Sequence, residues 1–211
     1  MSIPYKKFRY IYPPRPESKI RSTDLHKYDN NTFIGQPKLN GSNCEVYTNG
    51  IDVYIMNRHK GELSNVKIGK KVFTDLHRGN GWMVLNGEYM NKAKKGYDGL
   101  EFNHKFVIFD ILVYEGKQTV GTTYEYRVDL LNNLYHNNVY DNIIRKINDD
   151  IYIVETFFGE FGGMYNKITS IDMYEGFVLK KKKVKLKNGI SRKNNSESQI
   201  KVRKPTKNYE F

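Results

Sequence analysis

Hydrophobic and polar residues alternate in several short runs, which is the pattern of strands with one buried face. Residues 43–58 contain two such runs joined at Asn49-Gly50, a favoured two-residue turn, and therefore predict a β-hairpin. The run at residues 105–114 is apolar at nearly every position, so we expect this strand at the centre of a sheet. Further strands are predicted at residues 82–90, 151–158, 175–183 and 198–205.

Helical spacing of apolar residues is confined to two regions. Residues 66–78 predict a short helix, and residues 123–149 predict a longer one that Asn-Asn pairs divide into two. Residues 1–22 predict an extended lead-in because its prolines restrict the backbone. A second hairpin is predicted around Asn188-Gly189, and the pair Gly162-Gly163 predicts a turn.

The composition indicates a folded chain without membrane segments. Its 211 residues are enough for one domain with a full core. No apolar run approaches the ~20 residues of a membrane span, and the first residues lack the apolar centre of a secretory signal. The single cysteine, Cys44, excludes an internal disulfide and fits a reducing cytoplasm. We predict one α+β domain over residues 1–211, built of antiparallel sheets flanked by helices.

The positive charge of the chain is concentrated near its C-terminus. The formal net charge is +12, and residues 180–211 contain twelve Lys and Arg against two Glu. Such a concentration indicates a polyanionic partner. A solvated basic tail is the alternative, but apolar residues alternate through this region and favour nucleic acid. Residues 181–199 are therefore predicted as a basic hairpin or loop whose candidate nucleic-acid contacts are Lys181, Lys182, Lys183, Lys185, Lys187, Arg192 and Lys193.

Six short motifs follow one another along the chain. They are KLNG at residues 38–41, NR at 57–58, NGEY at 86–89, FVIFDI at 106–111, EGFVLK at 175–180 and IKVRK at 200–204. The first is weak alone, but the ordered series resembles the nucleotidyltransferase motifs of ATP-dependent DNA and RNA ligases and mRNA capping enzymes. The resemblance extends from about Gln36 to Lys204. It implies an adenylation domain in which Lys38 forms a covalent bond to AMP.

The chemistry explains why cations are expected around this lysine. Attack on the α-phosphate of ATP requires a neutral amine, and a free lysine with a pKa of ~10.4 is almost wholly protonated at pH 7. Nearby cations and partial desolvation both favour the neutral form. Lys180, Lys201 and Arg203 would supply those cations if their strands converge on Lys38, and they would also bind the α-phosphate. The usual last motif reads K-x-K, so Lys204 facing the site in place of Arg203 is an alternative.

By the same resemblance, two glutamates are assigned to the metal and the ribose. Glu175 is implied to bind a divalent cation, and Glu88 is implied to contact the ribose and to share the metal. Mg²⁺ takes carboxylate, phosphate and water oxygens, so two glutamates with substrate phosphates suffice, and Mn²⁺ can substitute. The alternative for each is an exposed charge at a strand end.

Four further residues are implied to contact the nucleotide. Gln36 and Pro37 immediately precede the nucleophile. Arg58 is implied to contact the ribose or the 5′-phosphate of the strand being joined, with a solvated guanidinium as the alternative. Phe109 is implied to stack on adenine, although a core role for Phe109 and stacking by Phe106 both remain open.

The motifs give conflicting indications of whether the substrate strands are DNA or RNA. Asn40 stands where DNA ligases have aspartate, and KLNGSN resembles RNA ligases, whereas Gln36-Pro37 and the lead-in resemble small viral DNA ligases. Few residues follow Lys204, so we expect the oligonucleotide-binding-fold domain to be missing, as in a minimal phage-type enzyme.

The predicted function is an ATP-dependent ligase that seals nicks between 3′-hydroxyl and 5′-phosphate ends in duplexes of DNA or mixed RNA and DNA. The partners are ATP and nucleic acid, without a membrane. We expect a monomer in the cytoplasm, which for a viral protein is that of the host cell. The alternatives are a nick-sealing RNA ligase, a capping-type guanylyltransferase, and a non-catalytic nucleic-acid-binding protein derived from a ligase.

Overall fold

Strands make up most of the regular structure in this computed structural model, which describes residues 3–136, 138–139 and 141–205. The strands are β1 (Ile3–Pro4), β2 (Ser18–Lys19), β3 (Phe33–Leu39), β4 (Ser42–Thr48), β5 (Val53–Asn57), β6 (Met83–Met90), β7 (Lys105–Tyr114), β8 (Lys117–Gln118), β9 (Asn138–Val139), β10 (Ile144–Lys146), β11 (Ile151–Val154), β12 (Tyr174–Lys181) and β13 (Gln199–Arg203). The α-helices are α1 (Lys70–Thr74), α2 (Tyr124–Leu134) and α3 (Phe161–Thr169), and 3₁₀ turns span Ser22–Tyr28 and Ser196–Ser198.

The strands form two sheets. The larger has the order β5-β4-β6-β7-β11-β10-β9, with β8 pairing with both β7 and β1, and the smaller has the order β2-β13-β12-β3. Most pairs are antiparallel, whereas β11 runs parallel to β7 and β13 parallel to β2. The apolar strand β7 is central, as predicted, because it pairs with β6, β8 and β11. The α+β fold of antiparallel sheets is confirmed.

A tight contact inside the core fixes the smaller sheet. Phe177 on β12 is fully buried, and its ring packs against Phe161 of α3 with ring centroids 5.8 Å apart. The same ring fills the space where a side chain at Gly35 would lie, since a Cβ there would come within 2.1 Å of it. Full burial of a Phe side chain contributes about 2–3 kcal/mol. Glycine at position 35 therefore lets β3 approach this ring closely.

The predicted hairpin at residues 43–58 is present as β4 and β5, but its turn differs from the prediction. Residues 49–52 connect the strands, so the turn contains four residues and not two. The side-chain oxygen of Asn49 accepts hydrogen bonds from the backbone N–H groups of Ile51 and Asp52, at 3.0 and 2.7 Å. Asn side chains favour such local turns, and the four-residue turn forms here in place of the two-residue turn.

The second helix predicted within residues 123–149 is wrong. Helix α2 ends at Leu134, and the chain then forms β9 and β10. Asp141 accepts hydrogen bonds from the N–H groups of Ile143 and Ile144, at 2.8 and 2.7 Å, which bends the chain into β10. The apolar residues there pair with β11, so tertiary pairing overrides the helical spacing.

Two glycine-based predictions also fail. Residues 182–195 form an irregular loop without a strand hairpin, and Gly189 in it has a φ of +67° and accepts a hydrogen bond from Tyr12. The pair Gly162-Gly163 lies inside α3, which is held by the burial of Phe161 and Ile168 despite the low helix propensity of glycine.

The lead-in runs largely extended, with the short strands β1 and β2, up to the 3₁₀ turn that starts at Ser22. Among the described residues, no helix has the length and apolar character needed to cross a bilayer.

Candidate active site

Three strands of the smaller sheet bring the motif residues together. Lys38 on β3 and Arg203 on β13 both lie opposite Gly176 of the intervening strand β12. In the next row, Gln36 and Lys201 flank β12 in the same way. Residues two apart on a strand share a face, so these side chains all point to one side of the sheet. They line a cavity of about 600 Å³.

Lys38 forms an ion pair with Glu175, and Arg203 Nη2 lies 3.6 Å from the same carboxylate oxygen. Gly176, which lies between Lys38 and Arg203, has a φ of +151°, and a Cβ there would come within 1.9 Å of the Val202 carbonyl oxygen. Glycine at this position therefore lets β12 and β13 approach each other closely between the two charged residues.

The register of the last motif places Arg203 at the cavity. Arg203 and Lys201 line it, whereas Val202 is fully buried on the opposite face. Lys204 Nζ donates to the carbonyl oxygen of Ile171 at 2.8 Å and does not line the cavity. Of the two alternatives, the geometry supports Arg203.

Lys180 lies at the deep end of the cavity and is only 5% exposed. Its Nζ donates to Gln36 Oε1 at 2.5 Å, and Gln36 Nε2 donates to Thr156 Oγ1 at 2.9 Å. The ammonium is 5.2 Å from the ring centroid of Phe109 and 5.0 Å from that of Tyr124. The charge therefore contacts aromatic faces and one amide, and none of the carboxylates that the structure describes is in direct contact with it.

Burial lowers the pKa of Lys180 to about 8, with Asp110 opposing and Arg127 reinforcing the effect. The pKa of Lys201 is also lowered, first by burial and then by the charges of Arg203 and Lys38. Neighbouring cations thus add to the effect of burial in disfavouring the charged forms of Lys180 and Lys201.

Glu88 is half-buried at the cavity wall, where its Oε1 accepts the backbone N–H of Gly41 at 3.0 Å. Desolvation raises its pKa to about 7; Lys38 and the Gly41 N–H oppose this, and Glu175 adds to it.

Glu88 and Glu175 both line the cavity. In the described part of the chain no three His, Cys, Asp or Glu residues are grouped to hold a metal by themselves. The two carboxylates therefore fit a divalent cation only where substrate phosphates and water complete its oxygen ligands.

The two aromatic candidates lie in different places. Phe109 is partly buried and lines the cavity. Phe106 is fully buried in the core, 5.9 Å from Phe73 between ring centroids. Pro37 also lines the cavity, and Arg58 is exposed there, with its Nε 3.1 Å from His59 Nε2. Of these two rings, Phe109 is the one that lines the cavity.

One buried ion pair near Lys180 was not predicted. Arg127 on α2 donates through Nε and Nη2 to the two carboxylate oxygens of Asp110, at 2.7 and 3.1 Å, and the two side chains are 1% and 3% exposed. The guanidinium also lies 4.3 Å from the ring centroid of Tyr124, which contacts Lys180. An arginine within the apolar spacing of α2 is the sequence signal that could have indicated it.

The N-terminal segment also contributes to the site, because residues 12–16 line the cavity. Tyr12 N–H donates to the Gly189 carbonyl at 2.7 Å, and Asn194 Nδ2 donates to the Tyr12 carbonyl at 2.8 Å. The backbone N–H of Arg15 donates to the Asn194 carbonyl at 3.3 Å. The loop at residues 182–195 therefore holds this segment against the cavity.

The basic residues predicted to bind nucleic acid lie on and around that loop. Lys181, Lys183, Lys185, Lys187, Arg192 and Lys193 are exposed, and Lys182 is half-buried. Three of these lysines form ion pairs within the protein: Lys183 with Glu125, Lys187 with Glu197 at 2.5 Å, and Lys193 with Glu17 at 3.9 Å. Two other basic residues form hydrogen bonds. Lys182 Nζ donates to Asn31 Oδ1 at 2.5 Å, and Arg192 Nε donates to the Tyr12 hydroxyl at 3.4 Å.

Comparison with known proteins identifies the family. The sequence model of the RNA ligase family matches residues 31–202, which includes every motif residue from Gln36 to Lys201. This chain belongs to the RNA ligase family. No curated protein sequence matches this family member.

Solved ligase structures share the fold of this RNA ligase family member. A mycobacterial DNA ligase D complexed with ATP and MES matches with a TM-score of 0.64 at 15% identity, covering 94% of this chain and 62% of that one. A Lig E DNA ligase gives 0.56 at 16% identity, covering 92% and 70%. Chlorella virus DNA ligase-adenylate gives 0.53 at 14% identity, covering 93% and 69%. The chain therefore spans about three-fifths of the ligase D structure.

Proposed function

We propose that this RNA ligase family member is an ATP-dependent polynucleotide ligase that joins a 3′-hydroxyl to a 5′-phosphate through a lysyl-AMP intermediate. The observation that supports it best is the row of Lys38, Gly176 and Arg203 across three adjacent strands. A primary amine and a guanidinium thus line one cavity. The ATP bound to the ligase D structure is consistent with ATP as the nucleotide.

In the first step, Lys38 Nζ attacks the α-phosphorus of ATP. A nitrogen–phosphorus bond forms, the bond from the α-phosphorus to the bridging oxygen breaks, and pyrophosphate leaves with the electron pair. The proton of the attacking amine passes to water. Lys201 and Arg203, which line the cavity, would bind the charge that develops on the α-phosphate, and Glu175, which pairs with Lys38, would orient the amine. AMP then passes to a 5′-phosphate, and a 3′-hydroxyl displaces it.

Gln36, Pro37, Phe109, Arg58 and Glu88 form the proposed nucleoside site. Phe109 offers the face of its ring to adenine, and Lys180 and Gln36 offer polar groups at the same end of the cavity.

The proposal includes a divalent metal, Mg²⁺ or Mn²⁺. Glu175 and Glu88 are the residues that would hold it. When bound, the metal would neutralise phosphate charge and so ease the loss of pyrophosphate.

The proposed second substrate is a nicked duplex bound by the monomeric protein. The exposed lysines and Arg192 of residues 181–193 would contact backbone phosphates, which gives affinity without sequence reading. The family assignment and Asn40 favour an RNA strand, whereas the similar structures are DNA ligases. A panel of nicked substrates that differ only in the sugars at the junction would decide between them.

The first step is tested by incubating the protein with α-labelled ATP and Mg²⁺. We expect label on Lys38 of the wild type, none on Lys38→Ala, and normal labelling of Lys117→Ala, an exposed lysine on β8. Labelling of Lys38→Ala at the wild-type level would refute the assignment. Labelling by GTP but not by ATP would favour a capping-type activity, and tight nicked-duplex binding without any labelling would favour a non-catalytic protein.

A further inference from the structure

The positive charge beside Lys38 continues across the smaller sheet onto the N-terminal segment. Strand β13 carries Lys201 and Arg203, and on its far side it pairs with β2. Arg15 lies three residues before β2 and lines the same cavity as Lys38. The cavity therefore has cations on β3, on β13 and on the segment beyond β13.

The two carboxylates of the cavity do not neutralise the positive charges of Arg15 and Lys201. Glu175 pairs with Lys38 and lies close to Arg203, and Glu88 accepts the N–H of Gly41. Neither Arg15 nor Lys201 forms an ion pair with a carboxylate in the part of the chain that the structure describes. Arg15 is near enough to Lys201 for its charge to help lower the pKa of that lysine, after the larger effects of burial, Arg203 and Lys38. Two unpaired cations thus face one cavity.

The backbone of Arg15 is held in place although its side chain is exposed. Its N–H donates to the Asn194 carbonyl, and the preceding Tyr12 is bonded at both its N–H and its carbonyl to the loop at residues 182–195. A guanidinium on an anchored backbone loses less freedom on binding than one on a mobile terminus. Its planar fork also matches the oxygens of a phosphate.

We propose that Arg15 is a phosphate-binding residue of the cavity. This inference rests on the proposed function. Two sources of phosphate fit: the terminal phosphates of ATP, which leave as pyrophosphate, and the 5′-phosphate of the strand to be joined. In both cases Arg15 binds an anion that Lys38, Lys201 and Arg203 do not neutralise alone.

The test compares Arg15→Ala, Arg15→Lys and the control Arg9→Ala, which removes an exposed arginine of the same segment outside the cavity. The first arm measures the KM for ATP in labelling and the equilibrium binding of pyrophosphate and of AMP. If the terminal phosphates of ATP are bound, Arg15→Ala raises the KM for ATP and weakens pyrophosphate binding about tenfold, the low end for a charge-assisted hydrogen bond. Binding of AMP stays unchanged, and Arg15→Lys recovers part of the loss.

The second arm compares the binding of nicked duplexes that carry a 5′-phosphate or a 5′-hydroxyl. If the strand phosphate is bound, Arg15→Ala loses about tenfold of the preference for the 5′-phosphate, and Arg9→Ala keeps it. Unchanged values of Arg15→Ala in both arms, or equal losses for AMP and for the 5′-hydroxyl duplex, would overturn the inference. A wild type that acquires no label would remove the proposed function, while pyrophosphate and duplex binding would still report on Arg15.

Discussion

Replacing Lys180 by methionine should stabilise the protein at neutral pH and destroy its activity. Lys180 is 5% exposed, and burial lowers its pKa to about 8 from the ordinary 10.5. At about 1.4 kcal/mol per pKa unit, keeping the charged form in the folded protein costs roughly 3 kcal/mol at pH 7. Methionine of similar length removes that cost, but it leaves Gln36 Oε1 without its donor, which costs about 1–2 kcal/mol. The net gain in stability at pH 7 is therefore about 1–2 kcal/mol.

The dependence on pH makes this prediction specific to Lys180. Between the native and unfolded pKa values, from about pH 8 to 10.5, the unfolded chain binds the proton of Lys180 more tightly than the native state does. The stability of the wild type therefore rises with pH relative to that of Lys180→Met. The gap between the two proteins should narrow by about 1.3 kcal/mol from pH 7 to pH 9, so that they become nearly equal. All other titrating groups are common to both and cancel.

Thermal or urea unfolding of both proteins at pH 7 and pH 9 measures this gap, and labelling with ATP measures activity. For a chain of this size about 1.3 kcal/mol corresponds to roughly 3–5 °C in Tm. Lys117→Met, at an exposed position on β8, controls for the loss of one positive charge. A gap of constant size at both pH values, or one that widens, would refute the reasoning. Undiminished labelling of Lys180→Met would also refute the reasoning, because the destabilising charge of Lys180 would then not be needed for activity.

Three further changes test other parts of the structure. Arg127→Met leaves the Asp110 carboxylate buried without its cation and should cost about 3–5 kcal/mol, seen as a fall in Tm on the order of 10 °C. The double replacement with Asp110→Leu should recover most of this loss. Glu88→Gln should become more stable relative to the wild type as the pH rises from 6 to 8, and paired melting curves would show this change. The reason is that desolvation raises the Glu88 pKa to about 7, so at the higher pH the wild type must bury a charged carboxylate that destabilises the fold. Glu197→Gln should free Lys187 for phosphate contacts and steepen the salt dependence of duplex binding by about one unit of log–log slope, measured by anisotropy between 50 and 200 mM salt.

The central residues of the site were predictable because they lie on strands with a period of two. In Lys201-Val202-Arg203 the apolar middle residue faces the core, so the charged residues on either side must share the opposite face. The same logic places Gln36 and Lys38 together on β3. Their proposed roles came from the resemblance, and the geometry adds only that they face one cavity.

The rest depended on contacts between segments far apart in the sequence. The anchoring of Tyr12 by Asn194 follows from how the C-terminal loop packs, and no local pattern encodes it. The apolar spacing of α2 indicates that Arg127 is buried, but its pairing with Asp110 follows from how α2 packs on β7. The false hairpin at Asn188-Gly189 has the same origin. Its glycine does adopt positive φ, but the neighbouring backbone binds the N-terminal segment and not a partner strand.

The charged groups of this protein divide by whether the fold itself compensates them. Arg127 and Asp110 are fully buried and make two hydrogen bonds to each other, so their charges need nothing from outside. Lys180 and Lys201 face the cavity, and both have lowered pKa values because burial and neighbouring cations disfavour their charge. Apolar or neutral residues at these two positions would give a more stable fold. In the proposed function a phosphate-bearing ligand would reverse the balance, because its negative charge would lie beside two lysines that form no ion pair with a carboxylate of the described residues. The energy that the folded state loses at these lysines would thus be recovered as affinity for the proposed polyanionic ligand.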